Sequence, residues 1–343
     1  MDIEKLYNEI EFTENIDLCH KSGKLNRSSI GWSRYPNFNV NLRKKNLRKK
    51  KWNYWCILNE KCLFSIATLN LHYIGEISIY FYDFQTDTFY DKTIRTPFSR
   101  GCYIPDNPSV EFKTHNKNID LTFIKEQNDI LLKITLDNFS GKKLTSKIKI
   151  NYPKNHETLN VVIPWSDKRF QFTSKQNCLP VSGEILIDNE SYKLSEETSF
   201  ASLDIGRGFW PYKTMWNWAT ASGKTDSRII GFNLGGTWTK GTGMTENGII
   251  IDGKITKLSE DIIFDYDSNN IMKPWKIKTS ISNRLDLTFT PIYDRYYKTN
   301  MQIISSSMHQ IIGHFSGNLI GDNEDHIEIS CLPGSVEEHN AKW

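Results

Sequence analysis

The residues best suited to chemistry lie between Leu203 and Thr220. The run Leu203-Asp204-Ile205-Gly206-Arg207-Gly208-Phe209-Trp210-Pro211 is followed by Trp216-Asn217-Trp218-Ala219-Thr220. Indole rings offer large apolar walls with one N–H to aim. A carboxyl enclosed by such walls has its charged form disfavoured, which suits an acid or base. Asp204 is therefore a candidate catalytic group, with Arg207, Trp210, Trp216 and Trp218 as ligand-contacting neighbours. Trp216 and Trp218 are two apart and share one face of a strand. Gly206, Gly208 and Pro211 argue against regular strand through this stretch. The plainer alternative is an Asp204–Arg207 ion pair, with the tryptophans filling a barrel end.

A second stretch, Gly241-Thr242-Gly243-Met244-Thr245-Glu246-Asn247-Gly248, has no helix signal after its Gly-x-Gly, so it is not a phosphate loop. Glu246 could join Asp204 as a carboxylate pair for hydrolytic acid–base work. A third, Met308-His309-Gln310-Ile311-Ile312-Gly313-His314, places two histidines an odd number apart, on opposite faces of a regular strand. No Cys or Glu stands at ligand spacing, so no metal is expected. His309 and Gln310 could line a pocket. Asn233, Asn247, Arg34 and Trp55 complete the ligand-binding candidates. No Gly-x-Ser-x-Gly nucleophile motif is present, and no cofactor is expected.

These side chains must be positioned almost entirely by strands. Short β-branched and aromatic runs recur, such as Ile77-Ser78-Ile79-Tyr80-Phe81-Tyr82, Ile119-Asp120-Leu121-Thr122-Phe123 and Leu285-Asp286-Leu287-Thr288-Phe289, many strictly alternating. Turn signals stand at Asp188-Asn189, Ser222-Gly223, Asp252-Gly253, Ser282-Asn283 and Asp322-Asn323. With no long helix between strands, the chain reads as all-β, in antiparallel barrels or sandwiches. One short helix is expected at Ile3 to Ile10, from apolar residues at i, i+3, i+4 and i+7. Two self-similarities suggest two related β-units. Ile185-Leu186-Ile187-Asp188 leading to Lys193-Leu194-Ser195-Glu196 matches Ile249-Ile250-Ile251-Asp252 leading to Lys257-Leu258-Ser259-Glu260. Trp52-Asn53-Tyr54-Trp55 resembles Trp216-Asn217-Trp218. The expected domains are 1–195 and 196–343.

Across 343 residues, 38% are hydrophobic, 13% aromatic and 24% charged. That composition supports a packed core and excludes a disordered chain. No window approaches the roughly 18 consecutive apolar residues of a membrane span. The acidic start Met1-Asp2-Ile3-Glu4 lacks a secretory h-region, so a cytoplasmic location is expected. Six cysteines without a C-x-x-C pair exclude a zinc ribbon or thioredoxin motif. Seven of the nine residues from Arg43 to Lys51 are cationic, and without them the net +3 would become −4. This run could contact an anionic membrane surface, or simply be a solvated loop. It carries no interleaved aromatics for base stacking, so nucleic acid is not an expected partner.

Several motifs together carry a resemblance: Gly31-Trp32-Ser33-Arg34, the Lys-rich loop into Trp52-Asn53-Tyr54-Trp55, Val161-Val162-Ile163-Pro164-Trp165, Asp204-x-Gly206, Trp216-x-Trp218, Thr245-Glu246-Asn247, Pro274-Trp275 and Gln310-x-x-Gly313. In order, and from about Cys19 to Trp343, the chain resembles an uncharacterised bacterial family, the domain of unknown function numbered two-eight-zero-four, which implies no activity. About forty residues, from Gly183-Glu184-Ile185 through Leu203-Asp204-Ile205-Gly206-Arg207-Gly208 to Asn217-Trp218, resemble two-domain lipocalin-like proteins, the AttH and carotenoid 1,2-hydratase group. That resemblance implies two tandem calycin-type barrels with an apolar pocket. The group's Asp-His-x-x-Gly loop departs here, because Ile205 stands where its His would be. Acid catalysis of the hydratase kind loses a residue, while Asp204 and the Trp wall remain.

Three functions stay open at this level. The first is binding, or transformation by hydration or hydrolysis, of an apolar or lipid-like small molecule in a Trp-lined pocket. The second is a carbohydrate-active protein using Asp204 and Glu246. The third is a structural or interaction module.

Overall fold

A computed structural model describes residues 6–43, 47–225, 228–301 and 303–343. The chain opens with three two-residue strands, β1 (Ile16–Asp17), β2 (Trp32–Ser33) and β3 (Phe38–Asn39), with β1 and β3 paired in parallel. Two four-stranded meanders follow. The first is β4 (Lys49–Leu58), β5 (Cys62–Asn70), β6 (Ile74–Asp83) and β7 (Thr88–Pro97); the second is β8 (Phe112–Asn116), β9 (Ile119–Glu126), β10 (Asp129–Phe139) and β11 (Lys142–Asn151). Then come β12 (Leu159–Ser166), β13 (Arg169–Ile187), β14 (Glu190–Leu194) and β15 (Phe200–Phe209). β13 and β15 join the meanders into one curled antiparallel sheet, in the order β7-β6-β5-β4-β15-β13-β11-β10-β9-β8, with β12 and β14 paired to β13.

A second antiparallel sheet contains β16 (Lys213–Thr225), β17 (Arg228–Gly236), β18 (Gly248–Ile251), β19 (Lys254–Lys257), β20 (Ile262–Asp265), β21 (Trp275–Thr279), β22 (Leu285–Met301), β23 (Ile304–Ile320) and β24 (His326–Lys342). Its order is β19-β18-β17-β16-β24-β23-β22-β21-β20. The sheets therefore change over between Phe209 and Lys213, whereas the sequence-based division at 195/196 falls before β15.

Alternation builds each core. In β9 and β10, Ile119, Leu121, Phe123, Ile130, Leu132 and Ile134 point inward. Trp55 stacks on Phe123 at 5.6 Å and 11° in that same interior. The second core gathers Phe232, Trp275, Ile277, Leu287, Phe289, Ile311 and Val336. Apolar burial on this scale, at about 25 cal/mol per Å², is the term that holds sheets without helices together.

The two similar segments do form equivalent hairpins. Asp188 (φ 51°) turns β13 into β14, and Asp252-Gly253 (φ 47° and 78°) turns β18 into β19. Positive φ at the turn matches the twist of the strands it joins. Three expectations are corrected. Ser222-Gly223 is not a turn but lies within β16, because Ser222 is buried and bonded across the domain boundary. Residues 6–10 are not helical: Tyr7 N donates to the Ser259 carbonyl, and the Ile10 carbonyl accepts from Trp32 N, so this segment lies along the strands. The start of the expected helix, at residues 3–5, lies outside the described residues. Third, Gly206 and Gly208 do not interrupt a strand; β15 runs through both. A Cβ at Gly206 would lie 2.1 Å from the Trp52 indole, and one at Gly208 2.3 Å from the Phe170 carbonyl. These glycines make room for what crosses the strand.

A bulge in β13 locks the halves together. Register shifts between Gln176 and Leu179, with Cys178 at φ 63°. The extra residue turns Asn177 into the second sheet, where its amide donates to Thr220 Oγ1 (2.8 Å), the Phe232 carbonyl (3.2 Å) and the Ala221 carbonyl (3.3 Å).

Candidate functional site

Asp204, Glu246, Trp210, Trp216, Trp218 and Gln310 gather on the back faces of the two sheets, where these face each other. On β15 and β13, side chains alternate between core and seam. Ile205 and Leu203 go inward, while Asp204, Gln171, Thr173 and Lys175 go to the seam. An exposed sheet face would place that polar row in water. Here the second sheet covers it, and Gln171, Thr173 and Lys175 are buried.

Lys175 is the centre of the cluster, and sequence reasoning missed it. Its Nζ lies 2.9 Å from Asp204 Oδ1 and 2.9 Å from Glu246 Oε2, and 5.3 Å from the centre of the Trp218 ring. The sequence-predicted carboxylates are thus brought together through one ammonium. Asp204 also accepts from Trp52 Nε1 (3.0 Å) and Thr173 Oγ1 (3.1 Å). Glu246 accepts from Trp238 Nε1 (2.9 Å). Gly235 makes space for it, since a Cβ there would lie 2.1 Å from Glu246 Oε1. Burial disfavours the charge on Lys175, but its two carboxylates outweigh that and raise its pKa. Burial raises the pKa of Glu246; Lys175 opposes this and Asp204 adds to it. Two acids around one base leave one negative charge over, and burial and Asp204 push Glu246 in the direction that relieves it.

Tryptophans form the rest of the seam. Trp210 is buried at the centre, with ring centroids 4.8 Å from Trp165, 5.3 Å from Trp238, 5.6 Å from Trp52 and Trp343, and 5.8 Å from Trp216. Its Nε1 donates to Gln171 Oε1 at 2.7 Å. The surrounding five are half-buried, and two of them, Trp52 and Trp238, reach the cluster through their Nε1 groups.

Glu337 and His339 of β24, both missed, share this face with Trp216 and Trp218, as the register Trp216↔His339 and Trp218↔Glu337 requires. Glu337 accepts from Trp216 Nε1 (3.1 Å) and from Gln310 Nε2 (2.6 Å). Burial pushes its carboxyl up to about 7, against the pull of those two bonds. Gln310 also donates to Tyr54 Oη (3.2 Å), which lies 2.8 Å from Tyr80 Oη, so a polar chain crosses from the second sheet to the first. His339 packs tilted against Trp216, with ring centroids 4.0 Å apart, and burial pushes it down to about 3, leaving it neutral.

The remaining candidates divide. Trp216, Trp218, Trp210 and Gln310 belong to the seam. Asn233 and Asn247 frame it: Asn233 accepts from Trp218 Nε1 and donates to the Glu246 carbonyl, and Asn247 ties Gly235 N to the Glu260 carbonyl. Arg207 does not pair with Asp204. Three residues on, it takes the opposite face, buried, donating to the Pro105, Trp52 and Gly206 carbonyls and to Asn53, and burial lowers it to about 9. Trp55 lies in the first core. Arg34 clamps Glu11, Glu157 and the Ile255 carbonyl. His309 faces away from Gln310, bonded to Asp294 at 2.7 Å. The described residues hold no group of three or more His, Cys, Asp or Glu placed to bind a metal, and no helix long and apolar enough to cross a membrane. All six cysteines are free thiols. In the basic run, Lys49 and Lys51 pair with Asp106 and Lys50 is buried; residues 44–46 lie outside the described residues.

Comparison with solved structures places this architecture. A protein assigned as AttH from Nitrosomonas europaea superposes with a TM-score of 0.52 at 12% identity, covering 84% of this chain and 92% of that one. Kievitone hydratase from Nectria haematococca superposes with a TM-score of 0.49 at 10% identity, covering 86% and 88%. The fold is two tandem lipocalin-like domains. No curated protein matches the sequence. Residues 9–343 match the family described as Domain of unknown function (DUF2804).

Proposed function

Because the chain belongs to the DUF2804 family, whose description carries no activity, we propose from the site itself that it binds an apolar small molecule at the seam between its two sheets. The observation that carries this reading is the ring of half-buried tryptophans, Trp52, Trp165, Trp216, Trp238 and Trp343, around the buried Trp210, joined through Trp52 and Trp238 to a buried Lys175–Asp204–Glu246 cluster. A merely structural ion pair needs no solvent-facing indoles. Indole faces bury a planar or unsaturated ligand, and the N–H groups of Trp52, Trp238, Trp216 and Trp165 are already committed to Asp204, Glu246, Glu337 and the Trp238 carbonyl, while that of Trp343 has no partner among the described residues. Recognition is therefore mainly by apolar contact, with the carboxyl groups as the polar edge and Trp343 Nε1 as a free donor. Glu337, with its pKa near neutrality, is the best-placed group to give or take a proton. Asp204 and Glu246 share one lysine, which removes the free acid and free base of a glycosidase.

The test is native mass and tryptophan emission of the purified protein before and after exposure to a lipid extract, alongside Asp204→Asn. A retained mass with quenched emission, weakened at least several-fold in a folded Asp204→Asn protein, is expected. No retained mass from lipid, with binding to a glycan panel instead, would overturn the apolar-ligand reading.

A further inference from the structure

The core face of the second sheet stays open at one end. Directly opposite residues of antiparallel strands share a face, and Lys213↔Lys342, Lys342↔Ser305 and Ser305↔Asn300 form one row across β16, β24, β23 and β22. The next row inward is Met215, Asn340, Ser307 and Lys298. Both rows continue the face that carries Ala219, Ile311 and Val336 of the core. Together with the intervening row of the other face, Thr214, Ala341, Ser306 and Thr299, they line a groove of about 520 Å³ around this end of the sheet.

The chemistry of this groove is one-sided. It carries three lysines, amides and hydroxyls, and no carboxylate lines it. Lys213 and Lys342 stand opposite each other, where Cβ atoms are about 5 Å apart and like charges destabilise. None of the three lysines has a carboxylate within ion-pair distance among the described residues. The acids one or two rows deeper are committed elsewhere: Glu338 accepts from Tyr266 Oη, and Asp294 is bonded to His309. Tyr296, half-exposed, stacks on His309 beside Lys298 and offers an aromatic face.

We propose that this groove is a second ligand site, which takes a small phosphorylated polyol of the sugar-phosphate class. Lys213 and Lys342 neutralise the phosphate, and Lys298, Asn300, Asn340, Ser305 and Ser307 bond to the hydroxyls. The lysines and amides of the site lie on the opposite face of the sheet from the tryptophan seam, so it stands whatever the seam binds. The experiment is calorimetric titration of the whole protein with glucose 6-phosphate, glucose and inorganic phosphate, plus sedimentation with vesicles of phosphatidylglycerol. Expected is binding of glucose 6-phosphate, tighter than phosphate and absent for glucose, weakening as salt rises. The exposed-site double variant Lys213→Gln/Lys342→Gln should lose at least tenfold in affinity, while Lys113→Gln, exposed on the first sheet, should not. Binding of no free probe, binding unchanged in the double variant, or binding to the vesicles alone would each overturn the proposal.

Discussion

Lys175 shows how burial turns an ordinary ion pair into a unit that stands or falls together. A charge taken out of water costs several kcal/mol unless its partners stay in place. Lys175→Met leaves Asp204 and Glu246 facing each other without a cation, so a loss of about 3–5 kcal/mol is expected in urea unfolding, growing with pH as the carboxyls ionise. Adding Asp204→Asn and Glu246→Gln to Lys175→Met should recover much of that loss, because neutral groups of similar shape carry no buried charge. Glu337 gives a separate signature. Its folded-state pKa of about 7 lies above the ordinary 4.5. The folded state therefore holds a proton that the unfolded state releases, and stability falls as pH rises from about 4.5 to 7, then levels. Against wild type, Glu337→Gln should flatten this slope, removing on the order of 3 kcal/mol of pH dependence. Equal slopes in the two proteins would refute the shifted carboxyl. Asp204, Glu246, Trp210, Trp216 and Trp218 were marked in the sequence by residue type and clustering, whereas Trp238 and Trp343, isolated in the chain, were not, and Trp55 lies in a core. Lys175 was not marked either, because one lysine in an alternating polar row reads as a solvated face until another sheet covers it.

At the scale of elements, the strands and most of the turns follow from alternation and from Asp, Asn and Gly at the corners. What the sequence hides is how strands respond to bulky neighbours. The glycines of β15 read as breakers, yet they let the Trp52 indole lie across an unbroken strand. Gly206→Ala should therefore destabilise the fold by more than the few tenths of a kcal/mol typical of a surface change, and blue-shift or broaden tryptophan emission as Trp52 is displaced. The bulge at Asn177 is similarly invisible, since a register slip of one residue depends on the partner strands. Asn177→Ala strands several buried groups of both sheets without their donor. Calorimetry should show a lowered transition that splits into two, whereas a single unchanged transition would mean that the bulge does not couple the sheets.

Over the whole molecule, the resemblance to two lipocalin-like domains anticipated the architecture, but it suggested a pocket inside a barrel. The structure brings the tryptophans and acids together between the barrels instead, because β15 carries its polar face outward and β16 answers with Trp216 and Trp218. Aromatic pairs pack inside both cores, Trp55 on Phe123 in one and Trp275 on Tyr266 in the other. The central claim is that the ligand site is the seam. The most direct measurement is fluorine NMR of the protein labelled with 5-fluorotryptophan, each resonance assigned by Trp→Phe substitution, during addition of the ligand retained from lipid extract. The account predicts shifts at Trp52, Trp216 and Trp238, with Trp32, Trp55 and Trp275 unmoved. Shifts confined to Trp55 or Trp275 would put the ligand inside a barrel and contradict it.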